Sequence, residues 1–206
     1  MQPSDIRQSP YWHDQIGPAP TLAADLPDKV DVLVVGAGYT GLSAAITTAR
    51  GGRSTLVLDA EDPGYGCSTR NGGQISTSVK PSLDKLAAKF GVERARGIRM
   101  EGANALKWIG DFIADEGLDC DFRRVGRFHA AHTPQHYETL ARDAEKMRQR
   151  ENIESFAVPR HEQRSQLGTD AYFGGVVFSA HCSVHPGKFH RELLRLALEA
   201  GVQVGG

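Results

Sequence analysis

Three glycines constrain this chain more than any other feature. Gly36, Gly38 and Gly41 form G-x-G-x-x-G between a short apolar, β-branched run at Asp31–Val35 and a small-residue helix over Leu42–Arg50. Such a run reads as a buried parallel strand. In a strand–turn–helix of this kind the first glycine allows the tight bend, and the second lets the backbone approach a pyrophosphate. The third lets the helix pack closely on the sheet. Free N–H groups and the positive dipole end of the helix then face the phosphates. A second strand, Ser54–Leu58, closes the unit with Asp59 at its carboxyl end, about 20 residues past the glycines, where a ribose 2′-hydroxyl is held. A glycine turn without a ligand is the plainer reading, but the strand before and the helix after it favour a dinucleotide site. Its candidates are Gly36, Ala37, Gly38, Tyr39, Thr40, Gly41, Asp59 and Ala60. Tyr39 and Thr40 are expected to give backbone N–H groups and packing, not chemistry.

The rest of the chain sets outer limits. Its 206 residues, 40% hydrophobic, hold one large domain or one domain and part of another. Twenty-four basic against 25 acidic residues give no reason to invoke nucleic acid or an anionic membrane. No apolar run approaches the ~20 residues that cross a bilayer. The polar start MQPSDIRQSPYWHD lacks the apolar segment of a secretory signal. Cys67, Cys120 and Cys182 are widely spaced and odd in number, which predicts reduced thiols and a cytoplasmic protein. Residues 1–29, with Pro3, Pro10, Pro18, Pro20 and Pro27, are expected to form an extended arm anchored by Tyr11 and Trp12.

After the second strand the chain runs through Glu61–Val79, EDPGYGCSTRNGGQISTSV, which predicts a long irregular loop. Loops of that length are uncommon and tend to be functional. Together, GAGYTGLSAA, the acid closing the second strand and GYGCSTRNGGQ resemble the D-amino-acid-oxidase-like FAD-dependent oxidoreductases (DAO family). The likeness is greatest to the branch containing gamma-glutamylputrescine oxidases, whose leader Pro10-Tyr11-Trp12 resembles. Asp59 and Cys67 depart from that branch, which commonly has glutamate and alanine there; both changes are conservative. The resemblance implies FAD as cofactor, with Ser68, Arg70, Asn71, Gly72, Gly73 and Gln74 added to the cofactor-binding set. Glycines in this loop permit backbone approach to a flat ring, and Arg70 offers a fixed positive charge. A flexible Gly/Ser linker is the plainer reading of the same composition.

Beyond Pro81 the period turns helical. Helices are predicted over Ser82–Phe90 and Val92–Glu116, the latter with Ile98, Ala105, Ile109 and Phe112 on its apolar face. Strands follow at Asp119–Ala130 and Ala171–Phe178, the second with a bulge at Gly174-Gly175. Between them a helix starts at Thr133-Pro134 and runs to Arg150 with Tyr137, Leu140, Ala144 and Met147 inward. A last helix over residues 185–201 carries Phe189, Leu193, Leu196 and Ala200 on one stripe and is capped by Gly201. Val202–Val204 then starts a strand.

The fold class expected is α/β: a Rossmann-like FAD-binding domain with part of an inserted α+β substrate-binding domain. The arm would be 1–29, the βαβ unit and flavin loop 30–80, the partial substrate domain 81–180 and the return 181–206. Family members are roughly twice as long, so the chain reads as an amino-terminal fragment, inactive alone. His181, Cys182, His185 and His190 lack zinc-site spacing, so no metal is expected. His185 is read as a helix start and Cys67 as a small packing residue. The resemblance implies oxidation of the C–N bond of a small-molecule amine or amino acid, with hydride passing to flavin N5, imine hydrolysis and reoxidation by dioxygen or another acceptor. No catalytic residue declares itself. An NAD-dependent dehydrogenase would use the same glycines and Asp59, and a non-catalytic nucleotide-binding module is the reading from another class.

Overall fold

The computed structural model describes residues 9–17, 22, 25 and 27–205. In chain order the elements are α1 (Tyr11–Ile16), β1 (Val32–Val35), α2 (Tyr39–Arg50), β2 (Thr55–Leu58), β3 (Gln74–Ile75), α3 (Leu83–Phe90) and α4 (Val92–Asp115). There follow β4 (Arg127–Ala130), α5 (Pro134–Glu151), β5 (Ser155–Val158), β6 (Gly175–Phe178), β7 (Cys182–Ser183), α6 (Pro186–Glu199) and β8 (Gln203–Gly205). They fall into two compact units. The first takes the chain up to Gly73, Leu118–Asp121 and Val184 onward; the second takes Gln74–Gly117 and Phe122–Ser183. The first break thus comes at Gly73, where the sequence places it at residue 80.

In the first unit β1, β2 and β8 form a parallel sheet in that order. The β-branched and leucine runs of β1 and β2 suit such strands, and β2, in the middle, is buried along most of its length. Gly41 brings α2 onto the sheet: a Cβ there would stand 1.8 Å from the Gly36 carbonyl oxygen and 3.2 Å from Val34 Cγ1. α2 therefore covers the Val34 face, while Leu33 and Val35 on the other face are 54% and 84% exposed. Among the described residues nothing covers that second face. α6 packs against α2 and lays Phe189, Leu193, Leu194 and Ala197 inward.

The arm contains a helix, α1, where extended chain was expected; Pro3, Pro18 and Pro20 lie outside the described residues. α1 packs on α6, with Ile16 Cδ1 2.6 Å from where a Gly187 Cβ would be. The long loop also holds more structure than its composition suggests, a 3-10 turn at Cys67–Thr69 and then β3.

In the second unit β4, β6 and β5 form an antiparallel sheet with β6 central, and β3 pairs with β7. Thr133 caps α5 by accepting the His136 N–H at 3.1 Å, as the Thr-Pro start predicts. Three expectations change. The strand predicted from Asp119 begins only at Arg127, because Asp121 (φ +52°) and Gly126 (φ +72°) turn the chain before it. The strand predicted from Ala171 begins at Gly175. Gly174 (φ +85°) forms its entry turn, not a bulge, with its N–H donated to the buried Gln163 side chain at 3.0 Å. The buried stripe of α4 is Ala95, Gly102, Leu106, Gly110 and Ile113, about one residue round from the expected face. Gly102 and Gly110 bury because, without side chains, they admit close neighbours, which hydrophobic periodicity does not count.

Of the two, Gly102 lies against backbone, while Gly110 meets the flexible end of Arg124. A Cβ there would lie 2.6 Å from the Thr77 carbonyl oxygen and 2.7 Å from Val79 Cγ2. Gly102→Ala should destabilise the protein by about 1–3 kcal/mol through overpacking. A lowered urea midpoint at unchanged slope is the expected result; an unchanged midpoint would show that the contact yields freely.

Candidate functional site

The glycine turn is built by hydrogen bonds from well outside it. Gly36 takes φ +103°, a conformation that side chains disfavour, and donates its N–H to the Leu58 carbonyl at 2.7 Å. Ala37, fully buried, donates its N–H to Asp59 Oδ2 at 2.6 Å. Its carbonyl accepts from His190 Nε2 at 2.7 Å. A carbonyl only accepts, so the His190 proton sits on Nε2. The ring is 1% exposed and lies under Gly64, where a Cβ would come within 2.7 Å of it.

Past the turn, Gly38 occupies the N-cap position of α2. The first-turn amides of a helix have no intrahelical partner, which makes this end a ready anion seat. Ser68 takes one of them, accepting the Tyr39 N–H on Oγ at 3.0 Å. The same oxygen would lie 2.9 Å from a Gly38 Cβ, so Gly38 is required by the loop as well as by any ligand. The Tyr39 phenol donates to the Pro186 carbonyl at 2.9 Å and its ring meets Phe189 edge-on at 5.1 Å. Burial pushes that phenol up to about 12, so it stays protonated. Thr40 and Ala60 are exposed.

Asp59 accepts from Ala37 and, on Oδ1, from the Glu61 N–H at 3.1 Å. Each carboxylate oxygen keeps a lone pair for a further donor. The loop that follows is tied down residue by residue. Asn71 donates to the Cys67 and Ser68 carbonyls at 3.2 and 3.0 Å and accepts the Gly73 N–H at 2.8 Å. Gly73 (φ +67°) runs so close to the chain that a Cβ would be 2.1 Å from the Val184 carbonyl oxygen. Arg70 is exposed; it donates to the Tyr65 carbonyl at 2.7 Å and lies over the Tyr65 ring at 4.6 Å. Gly72 is open to solvent, Cys67 is exposed and free, and Gln74 opens β3.

Helix α1 is part of this arrangement, a role its sequence did not announce beyond an aromatic anchor. Trp12 Nε1 donates to the Asn71 carbonyl at 2.8 Å. Thr69 Oγ1 donates to the Gly64 carbonyl at 2.6 Å and so accepts from His13 Nε2 at 2.9 Å. The Trp12 ring stands 4.7 Å from His185, which accepts the Lys188 N–H as the N-cap of α6 and reaches Gln15 at 2.7 Å. His13 is 56 residues from Thr69, His185 170 from Gln15 and His190 153 from Ala37, so only the local helix-start role of His185 is legible in the sequence.

The chain is similar to a family of known proteins. A profile of the DAO family, described as FAD dependent oxidoreductase, matches residues 31–205. Gamma-glutamylputrescine oxidoreductase of Escherichia coli (strain K12) is 32% identical over 159 residues, covering 76% of this chain and 36% of that protein. Probable oxidoreductase OrdL of Rhizobium meliloti (strain 1021) is 29% identical over 204 residues, covering 98% and 47%. The chain thus spans less than half the length of either relative. L-amino acid deaminase from Proteus vulgaris superimposes with a TM-score of 0.69 at 19% identity, over 92% of this chain and 42% of that one. Among the described residues no helix is long and apolar enough to cross a membrane.

Burial holds the His190 imidazole below its ordinary range, and the Ala37 hydrogen bond opposes that only in part. Below about pH 6.5 the unfolded chain takes up this proton while the folded chain does not, so stability falls with pH through that window. Wild type should therefore lose stability between about pH 7 and 5 more steeply than His190→Gln. Parallel urea-midpoint profiles for the two would assign the loss to other groups.

Proposed function

The chain belongs to the FAD-dependent oxidoreductase family DAO, and from that premise we propose that the complete protein oxidises the C–N bond of a small amine or amino acid. The observation that carries the cofactor assignment is the Gly36–Gly41 turn. It is pinned at Ala37 by Asp59 and His190, offers the first-turn amides of α2, and at Gly36 leaves the Cβ position open. A chain of that shape accepts a pyrophosphate against its backbone, so the residues present fit FAD.

Gly36, Ala37, Gly38, Tyr39, Thr40 and Gly41 would line the pyrophosphate, and Asp59 with Ala60 the adenosine ribose. Ser68, Arg70, Asn71, Gly72, Gly73 and Gln74 would border the ring system. FAD, when bound, supplies the two-electron redox chemistry. The part of this chain is to bind and orient: Ser68 and Asn71 fix the loop, Trp12 and His13 clasp it, and Tyr39 holds α2 to α6. The second unit would contribute to the substrate-binding domain. The relatives named for gamma-glutamylputrescine and for L-amino acids support the amine or amino-acid class, and the family favours FAD over NAD.

Asp59→Ala removes an ionised acceptor from both the turn and the ribose position. A hydrogen bond to a charged group is worth roughly 1.5–3 kcal/mol, so the FAD dissociation constant should rise about 10- to 100-fold. Flavin fluorescence titration of full-length apoprotein reads this directly. Unchanged affinity would remove Asp59 from the site, and full-length protein without flavin absorption bands would overturn the proposal.

A further inference from the structure

Helix α1 is too short to account for its own order. It has six residues, none of them buried, and Pro10 precedes it without a side-chain cap. A helix of that length is not stable in water by itself. Side-chain hydrogen bonds to distant parts of the chain hold it. Trp12 Nε1 donates to the Asn71 carbonyl at 2.8 Å, and His13 Nε2 meets Thr69 Oγ1 at 2.9 Å. Gln15 reaches His185 at 2.7 Å, and Arg191 donates to the Gly17 carbonyl at 2.8 Å. Two of these bonds go to the loop after β2 and two to α6 and its N-cap, all within the first unit.

The bond to Thr69 has a direction. Thr69 is 3% exposed, and its hydroxyl hydrogen goes to the Gly64 carbonyl at 2.6 Å. Its oxygen has only lone pairs left, so His13 is the donor and its proton sits on Nε2. Burial, then the charges of Arg70 in the loop and Arg191 in α6, hold His13 below its ordinary range against the pull of Asp14 on its own helix. The ring is therefore neutral, and its one proton is the one Thr69 receives. A hydroxyl rotates about its C–O bond, and a donor fixed on the oxygen limits that rotation to directions away from itself. Gly64 lies against the buried His190 ring, which holds the Ala37 carbonyl. Contacts thus run without a break from α1 through Thr69, Gly64 and His190 to the glycine turn.

We propose that α1 is a strap that orders the cofactor loop, with His13 as its positioning residue: the Nε2–H seated on Thr69 holds residues 64–71 in the arrangement that accepts FAD. This role rests on the cofactor reading above and adds to it a helix outside the G-x-G-x-x-G unit. Strap and loop are ordered by the same hydrogen bonds, so the coupling is reciprocal: loosening α1 weakens FAD, and bound FAD tightens α1.

The test takes full-length apoprotein through flavin fluorescence titration and through tryptic cleavage after Arg70, followed by mass spectrometry. Arg70 is exposed and lies inside the loop, so its cleavage counts how often the loop opens with no cofactor present. His13→Ala should weaken FAD about 3- to 10-fold, as loss of one neutral hydrogen bond predicts, and speed the cleavage by a similar factor. His13→Gln places an amide N–H near the Nε2 position and should return both readings toward wild type. His13 is half-exposed, so both variants should keep the far-UV dichroism of wild type. In Thr69→Val the histidine has nothing to position, so adding His13→Ala to it should cost no further affinity. His13→Ala with wild-type affinity and wild-type cleavage overturns the strap. His13→Gln as impaired as His13→Ala, or losses additive with Thr69→Val, overturns the positioning role of His13. Wild type that takes up no flavin overturns the cofactor reading alone, and cleavage at Arg70 in the two His13 variants then still decides whether the strap orders the loop.

Discussion

Ala37 has its two backbone polar groups held by partners distant in sequence, and the rest of the first unit depends on that. Its N–H goes to Asp59 and its carbonyl to His190. The first is a charge-assisted bond of the kind worth about 1.5–3 kcal/mol, and the second ties α6 to the turn. With Ala37 fixed, Gly36 must take its positive φ, and the helix must leave at the angle that brings Gly41 against the Gly36 carbonyl. Asp59 thus has a structural role whatever it binds. Its position at the end of β2, read from sequence as facing a ribose, also closes the βαβ unit on itself.

The parts legible in the sequence are those with a short-range signal. The glycine spacing, the apolar runs of β1 and β2, the Thr133-Pro134 start of α5 and the inward stripe of α6 each lie within about a dozen residues. What the sequence did not disclose involves pairs far apart or residues read as neutral. His190 looked like one histidine among eight, and only the fold brings it under Ala37. Ser155–Val158 has too little alternation to declare a strand, and it pairs with β6 because α5 packs on it. The face of α4 was misjudged because Gly102 and Gly110 bury by having no side chain, which hydrophobic periodicity does not count.

The loop after β2 joins these two kinds of information. Its composition permits a flexible linker, but its contacts do not. Asn71 makes three hydrogen bonds within the loop, Ser68 caps Tyr39, and Trp12 and His13 reach it from α1. A Gly-rich segment loses more conformational freedom on ordering than any other. The side-chain hydrogen bonds from outside offset that loss. The glycines remain necessary, because at Gly38 and Gly73 a Cβ would collide with Ser68 and with the Val184 carbonyl.

The site proposed in the first unit would recognise its cofactor through backbone. The groups proposed to face a dinucleotide there are backbone amides at a helix end, whose directions are set by φ and ψ. Thr40 and Ala60 are exposed, while a Cβ at Gly38, Gly41 or Gly73 would meet another atom within 3 Å. A site made of backbone is readable from spacing, and for the same reason it serves many chemistries and says little about the substrate. In the second unit the distinctive groups are side chains, Arg127, His129 and His181, on one sheet face and its flanking turn. Their spacing follows no motif, since strand pairing and not sequence order brings them together. Selectivity among small molecules, where this chain contributes to it, is to be sought in such side chains and not in the glycine turn.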